Sequence, residues 1–129
     1  MNGYFDGASR GNPGLAGAGA LIVNDSGDII WETACFLGKK TNNEAEYNAL
    51  ILLLKAARER NIKKLNIYGD SKLVVSQVSR QWKINLPHLR ILAKEAWELM
   101  DGIDVSLEWI PRDKNKRADE LSNQGIDGA

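Results

Sequence analysis

The chain carries one cysteine, Cys35, so it cannot close an intramolecular disulfide, and that scarcity fits a reducing compartment. Long apolar runs are missing too. The longest, Ala49-Leu50-Ile51-Leu52-Leu53-Leu54, is far too short to span a bilayer. No basic-then-apolar leader precedes the first expected strand. Neither sign of charge dominates: Lys+Arg and Asp+Glu each total 17, for a formal charge of zero. Composition therefore neither demands nor excludes a nucleic-acid partner, because the distribution of charge matters more than its sum. Internal repeats, low-complexity segments and linkers are absent as well. What is present is enough apolar material, 43% of 129 residues, to bury a core. The expectation is a soluble, cytoplasmic protein with one domain spanning residues 1–129.

Three strands are expected first, over Gly3–Ala8, Ala16–Val23 and Ile29–Phe36. Turn formers separate them: Ser9-Arg10-Gly11-Asn12-Pro13-Gly14, then Asn24-Asp25-Ser26-Gly27-Asp28. Thr41-Asn42-Asn43-Glu44 reads as a helix start, and the helix runs to about Arg60. Lys63–Gly69 is a fourth strand, joined to the first part by a crossover that implies parallel pairing. Ser71–Trp82 reads as a second helix, and Pro87 opens a third that stops at Gly102. Val105–Ile110 is a fifth strand, and a last helix covers Asn115 to about Asn123, with Gly125 as its stop. The order predicts an α/β fold: a five-stranded mixed sheet, three antiparallel strands then two parallel, with helices on both faces.

Four acids sit awkwardly in this scheme. Asp6 follows Tyr4-Phe5 in a strand, Asp70 ends another, and Asp119 lies in the first turns of the last helix. Glu46 falls on the apolar stripe of the longest helix, with Ala49, Leu50, Leu53 and Ala56. Each has an ordinary structural explanation. Asp6 before Gly7 suits a turn, Asp70-Ser71 suits a helix cap, and Asp119 suits a helix dipole. Glu46 has the weakest one, since Glu44 already serves as the first-turn acid. If the first and fourth strands are neighbours, Asp6 and Asp70 meet at a carboxyl edge, and Glu46 can reach over them. Converging carboxylates repel unless a cation compensates. Magnesium takes hard oxygen ligands, and two ions roughly 3.5–4 Å apart serve in-line phosphodiester displacement.

The words around the acids carry a resemblance. Phe5-Asp6-Gly7-Ala8-Ser9-Arg10-Gly11-Asn12-Pro13-Gly14, Thr41-Asn42-Asn43-Glu44-Ala45-Glu46, Gly69-Asp70-Ser71 and Arg117-Ala118-Asp119-Glu120-Leu121 stand in this order. The chain resembles ribonuclease H of type 1 over essentially its whole length. The resemblance implies hydrolysis of the RNA strand of an RNA–DNA hybrid with two Mg²⁺ ions, Mn²⁺ being able to substitute. The products carry 5′-phosphate and 3′-hydroxyl ends. It makes Asp6, Glu46, Asp70 and Asp119 the catalytic, metal-binding carboxylates. Asp6 is implied to be shared by both ions, with Glu46 also contacting a ribose 2′-hydroxyl. Spacing from Thr41-Asn42-Asn43 selects Glu46 over Glu44, as the helical stripe does independently.

The resemblance also implies hybrid-binding roles for Asn12 and Asn43, and a DNA-strand phosphate pocket at Thr41 and Asn42, where a helix N-terminus favours an anion. Gln77 is placed toward the same minor groove, and Trp82 toward the DNA-strand channel. Capping and turn formation compete as explanations of the polar residues, above all at Thr41; a core position competes at Trp82. Two departures from the family pattern stand out. Many relatives carry a histidine in the loop before the last carboxylate. Here that loop is Pro111-Arg112-Asp113-Lys114-Asn115-Lys116, and the only histidine, His88, lies elsewhere. Arg112 is the candidate for an electrostatic version of that role. The basic helix that some relatives insert after the second helix is also absent, which defines a compact form. The chain starts beside the first strand and ends soon after the last helix, so no appended hybrid-binding segment is expected. The resemblance implies no obligate protein partner, and a monomer is expected. A binding-only module and a DNA-cutting nuclease of related fold are the competing readings. Four anions facing phosphate weigh against the first, and the asparagine pair weighs against the second.

Overall fold

A computed structural model describes all residues, 1–129. Its strands are β1 (Asn2–Gly11), β2 (Gly14–Val23), β3 (Ile29–Lys40), β4 (Lys64–Gly69) and β5 (Asp104–Trp109). Its helices are α1 (Asn42–Glu59), α2 (Lys72–Val78), α3 (Pro87–Met100) and α4 (Lys116–Asp127), with one 3₁₀ turn at Arg112–Lys114. They form one sheet in the order β3-β2-β1-β4-β5. β1, β2 and β3 pair antiparallel, while β4 is parallel to both β1 and β5. The expected sheet and element order are therefore observed. No helix is long and apolar enough to cross a membrane.

Local chemistry accounts for the starts of the elements. Thr41 caps α1 through its hydroxyl, which accepts from the Glu44 amide at 3.2 Å. The Glu44 carboxylate accepts from the Thr41 amide at 3.0 Å, closing a capping box. At the β2–β3 turn, the Asn24 side-chain oxygen accepts from the Ser26 and Asp28 amides, and Gly27 supplies the positive φ of 86°. Phe5, Ala18, Ala20, Ile22, Leu65 and Ile67 of the sheet pack with Leu50, Leu53 and Leu54 of α1 and with Leu89 and Ala93 of α3. Each fully buried large aliphatic side chain there contributes about 1.5–3 kcal/mol. A smaller cluster, Leu21 with Ala118 and Leu121, lies under α4 on the opposite face.

Two helix ends differ from expectation. α2 stops at Val78, short of Trp82, because the backbone turns left-handed at Arg80 (φ 64°). The amides of Gln81 and Trp82 then both donate to the Ser76 carbonyl, closing the helix. α4 runs through Gly125 to Asp127. Gly125 is not a stop. A Cβ there would lie 2.6 Å from the Cys35 carbonyl oxygen, so the glycine lets the helix rest on β3.

Two further close approaches bring helices to the centre of the sheet. A Cβ on Gly7 would fall 2.3 Å from the Glu46 amide nitrogen of α1. One on Gly19 would fall 2.4 Å from the Ala118 carbonyl oxygen and 2.5 Å from the Ser122 amide nitrogen of α4. In both cases the obstacle is backbone, which yields little. Gly7→Ala and Gly19→Ala are each expected to destabilise the fold by about 1–3 kcal/mol or more, as overpacking does. Urea denaturation checks this, and an unchanged midpoint in either variant would contradict the close packing.

Candidate active site

β4 ends opposite Phe5, where Phe5 pairs with Gly69. β1 continues for six residues beyond that point, to Gly11, and this notch holds the acids. Asp6 follows Phe5 as Asp70 follows Gly69, so parallel register brings the two carboxylates side by side. Glu46 arrives from α1, which the missing Cβ of Gly7 allows to approach. One carboxylate oxygen from each of Asp6, Glu46 and Asp70 lies within 4.8 Å of the other two. Asp119, on the first turn of α4, lines the same cavity of about 480 Å³, with Arg112, Arg10 and Asn123.

Each acid is tethered by a different partner. Glu46 accepts a hydrogen bond of 2.6 Å from the Gly7 amide. Asp6 accepts one of 2.9 Å from the Ser122 hydroxyl. The Asp70 carboxylate lies 3.4 Å from Nδ2 of Asn115, and its carbonyl accepts from the Trp109 indole at 3.1 Å. Nδ2 of Asn115 also donates to the Phe5 carbonyl at 2.9 Å, joining the two acid-bearing strands, while its Oδ1 is buried without a protein donor. Asp119 faces the Arg112 guanidinium at 3.5 Å. Ser122 and Asn115 were not singled out from sequence. The available signal was their helical spacing from Asp119, three residues after it and four before.

The other sequence-selected residues divide into two groups. Asn12 and Asn42 meet at the start of α1, where the Asn12 side-chain oxygen accepts from the Asn42 amide at 3.2 Å. Asn42 in turn accepts from the Ser9 amide at 3.0 Å and lines the carboxylate cavity. Thr41 is committed to the capping box, and Asn43 is half-buried beside it. Gln77 and Trp82 lie apart from the carboxylates, in a second groove of about 530 Å³ shared with Arg80, Lys94 and Trp97. Gln77 is buried there and its oxygen accepts from the Tyr47 hydroxyl at 2.7 Å. Trp82 is 50% exposed, so it is no core residue.

Asp6 is 5% exposed and Glu46 is 9% exposed. Burial, then the charge of Asp70, pushes the Asp6 carboxyl up to about 8, with the Ser122 hydroxyl pulling the other way. Burial, then Asp6 and Asp70, raises Glu46 well above the ordinary carboxylate range, opposed by the Gly7 amide and by Arg112. The fit to a divalent cation follows from this donor set. It offers only hard oxygens, and the guanidinium that opposes the Glu46 shift, Arg112, is 79% exposed and set against Asp119. A raised carboxyl binds its proton more tightly in the folded state, so its stabilisation is fullest at low pH. It is lost as pH climbs from the unfolded value of 3.8 through about 8. Without metal, stability is expected to fall across that window, by up to about 1.4 kcal/mol per pH unit for one group. Asp6→Asn flattens the fall, and Mg²⁺ restores stability at the alkaline end. Urea midpoints in EDTA across pH measure it; a profile that rises with pH would contradict the raised acids.

Residues 4–125 match the family model described as reverse transcriptase-like. Ribonuclease HI of Halobacterium salinarum is 44% identical over 130 residues, covering 100% of this chain and 65% of that protein. Its RNase H1 crystal structure superposes with a TM-score of 0.96, over 99% of this chain and 98% of that one. LC11-RNase H1, solved in complex with an RNA/DNA hybrid, is 34% identical with a TM-score of 0.93, over 98% of this chain and 96% of that one. Ribonuclease H of Hydrogenovibrio crunogenus is 32% identical over 139 residues, covering 96% of this chain and 93% of that protein. The chain thus spans about two thirds of the Halobacterium protein, and 35% of mycobacterial relatives at 40% identity. With the expected sheet, the three converging carboxylates and these matches in agreement, the chain belongs to the ribonuclease H family, in its type 1 branch.

Proposed function

We propose that this protein is an endoribonuclease that hydrolyses the RNA strand of RNA–DNA hybrids and leaves 5′-phosphate and 3′-hydroxyl ends. The observation that carries the reading is the acid cluster itself: Asp6, Glu46 and Asp70 within 4.8 Å, two of them buried, at an open notch beside β1. Asp6, Glu46, Asp70 and Asp119 are the residues that would hold two Mg²⁺ ions, with Mn²⁺ as a substitute. Bound there, such ions would activate the attacking water and stabilise the leaving oxygen.

The chain's own groups have separable tasks. Asp6 and Asp70, fixed by strand register, orient the site relative to the sheet. Glu46, pinned by the Gly7 amide and lining the notch, contacts the ribose 2′-hydroxyl that separates RNA from DNA. Asn12 is exposed and keeps its NH₂ donors free, since only its oxygen is engaged by Asn42. Together with Asn43 it reads the hybrid's minor groove. Thr41 and Asn42, at the N-terminus of α1, receive a DNA-strand phosphate. The groove of Trp82, with Gln77 in its wall, takes the continuing DNA strand. Arg112 stands at the cavity mouth beside Asp119 and supplies positive charge to the phosphate as negative charge develops on it.

Cleavage of a strand-labelled RNA–DNA hybrid in Mg²⁺, with EDTA and the duplex DNA as controls, tests the reading. Asp6→Asn and Asp70→Asn are each expected to lose about 10³-fold or more in rate, which corresponds to roughly 4 kcal/mol. Equal cutting by the variants, or tight hybrid binding without turnover, sinks it. Arg112→Ala is expected to lower kcat about 10-fold with KM nearly unchanged. A raised KM at constant kcat would make Arg112 a phosphate anchor instead.

A further inference from the structure

We propose that Ser122 is a positioning residue whose buried hydroxyl orients the Asp6 carboxylate toward the metal site; this rests on the metal-binding reading of the four acids. Ser122 is completely buried, and its hydroxyl lies 2.9 Å from Oδ2 of Asp6 and 2.8 Å from the Asp119 carbonyl oxygen. It supplies the only hydrogen bond that a hydroxyl or N–H group makes to the Asp6 carboxylate, whose other close partner is the Asp70 carboxyl.

The contact is built by the fold. Asp6 pairs directly with Gly19 across the β1–β2 ladder. Gly19 has no Cβ, and the space where one would stand is filled by α4 backbone, with the Ser122 amide nitrogen 2.5 Å from that position. A side chain on α4 can therefore reach across the bare strand to the neighbouring one. Three residues further along α4 than Asp119, Ser122 is the residue that does so.

A hydroxyl has one proton and here two acceptors. The Asp119 carbonyl is the ordinary back-bonding partner inside a helix. An ionised carboxylate is the stronger acceptor, so the proton goes to Asp6 whenever Asp6 is charged. That fixes Oδ2 from within the protein and leaves Oδ1 without a hydroxyl or N–H donor. It also ties α4, whose first turn carries Asp119, to β1. Groups that orient metal ligands in this way are commonly worth 10–100-fold in affinity or activity, that is, about one to two powers of ten.

Ser122→Ala removes the donor and little volume, and Ser122→Cys keeps a weaker one. Calorimetric titration with Mg²⁺, repeated with Mn²⁺, on the chain without hybrid is the primary measurement, with thermal unfolding in EDTA alongside. The expected order of affinity is Ser, then Cys, then Ala, the last weakened about 10-fold. In the cleavage assay kcat at limiting Mg²⁺ falls in the same order while KM for hybrid stays constant. Two results overturn the inference: an Ala variant that binds the ion as tightly as the unsubstituted chain, or an unsubstituted chain that binds none. Loss of unfolding temperature in EDTA with unchanged ion affinity makes Ser122 merely structural and overturns it equally. Intact ion binding with no hybrid cleavage by the unsubstituted chain would defeat the proposed activity and leave the role of Ser122 standing.

Discussion

Gly7 and Gly19 have no side chains, and at those two points helices α1 and α4 come down onto opposite faces of the sheet until backbone meets backbone. Gly7 adjoins Asp6 in sequence, and Gly19 faces Asp6 across the ladder. The central acid thus sits between two helices that approach at a distance only glycine permits. Glu46 comes with one helix, and Ser122 and Asp119 come with the other. Larger residues at either glycine would lift a helix away and separate the acids. The geometry of the cavity is therefore set by packing against the sheet more than by any bond between the acids themselves.

That geometry opposes folding electrostatics. Three carboxylates are held close, and the two most buried have their protonation pushed upward first by burial and then by neighbouring carboxylates, Asp70 acting on both. Opposing contributions are small: one serine hydroxyl, one backbone amide, and a mostly exposed arginine. The apolar contacts of Leu50, Leu53 and Leu54 with the sheet carry the stability that keeps the acids together. Cation binding would convert that opposition into attraction, which ties the folded state to the chemistry proposed for it.

Much of this was legible in the chain. The antiparallel opening strands and the later parallel pairing followed from the turn formers and the crossover helix, and Glu46 was distinguishable from Glu44 because only one of them lies on an apolar stripe. Glu44 indeed closes the capping box at Thr41. Other features depend on facts that no local pattern carries. The apolar spacing continues past Val78, yet α2 ends there because two amides converge on the Ser76 carbonyl. Gly125 looks like a stop and is a contact, since a glycine can mean either a turn or a close approach. Gln77 is polar, which gives no sign of burial, but Tyr47 claims its side chain in the interior. Ser122 looks like any helix serine until the pairing of Asp6 with Gly19 is known.

The early end of β4 has a consequence beyond the cavity it opens. From Asp6 onward β1 has lost its strand neighbour on that side, and a bare strand edge invites pairing with another chain. Here the amides of Gly7 and Ser9, two residues apart, are instead taken by Glu46 and Asn42, four residues apart on α1. The spacing works because four helical residues rise about 6 Å and two strand residues about 6.6 Å. A helix thereby stands in for the missing strand, through one buried carboxylate and one exposed carboxamide side chain. The same charges that line the notch also make it a poor template for aggregation, so the molecule keeps an open edge in its sheet without exposing one that another strand can use.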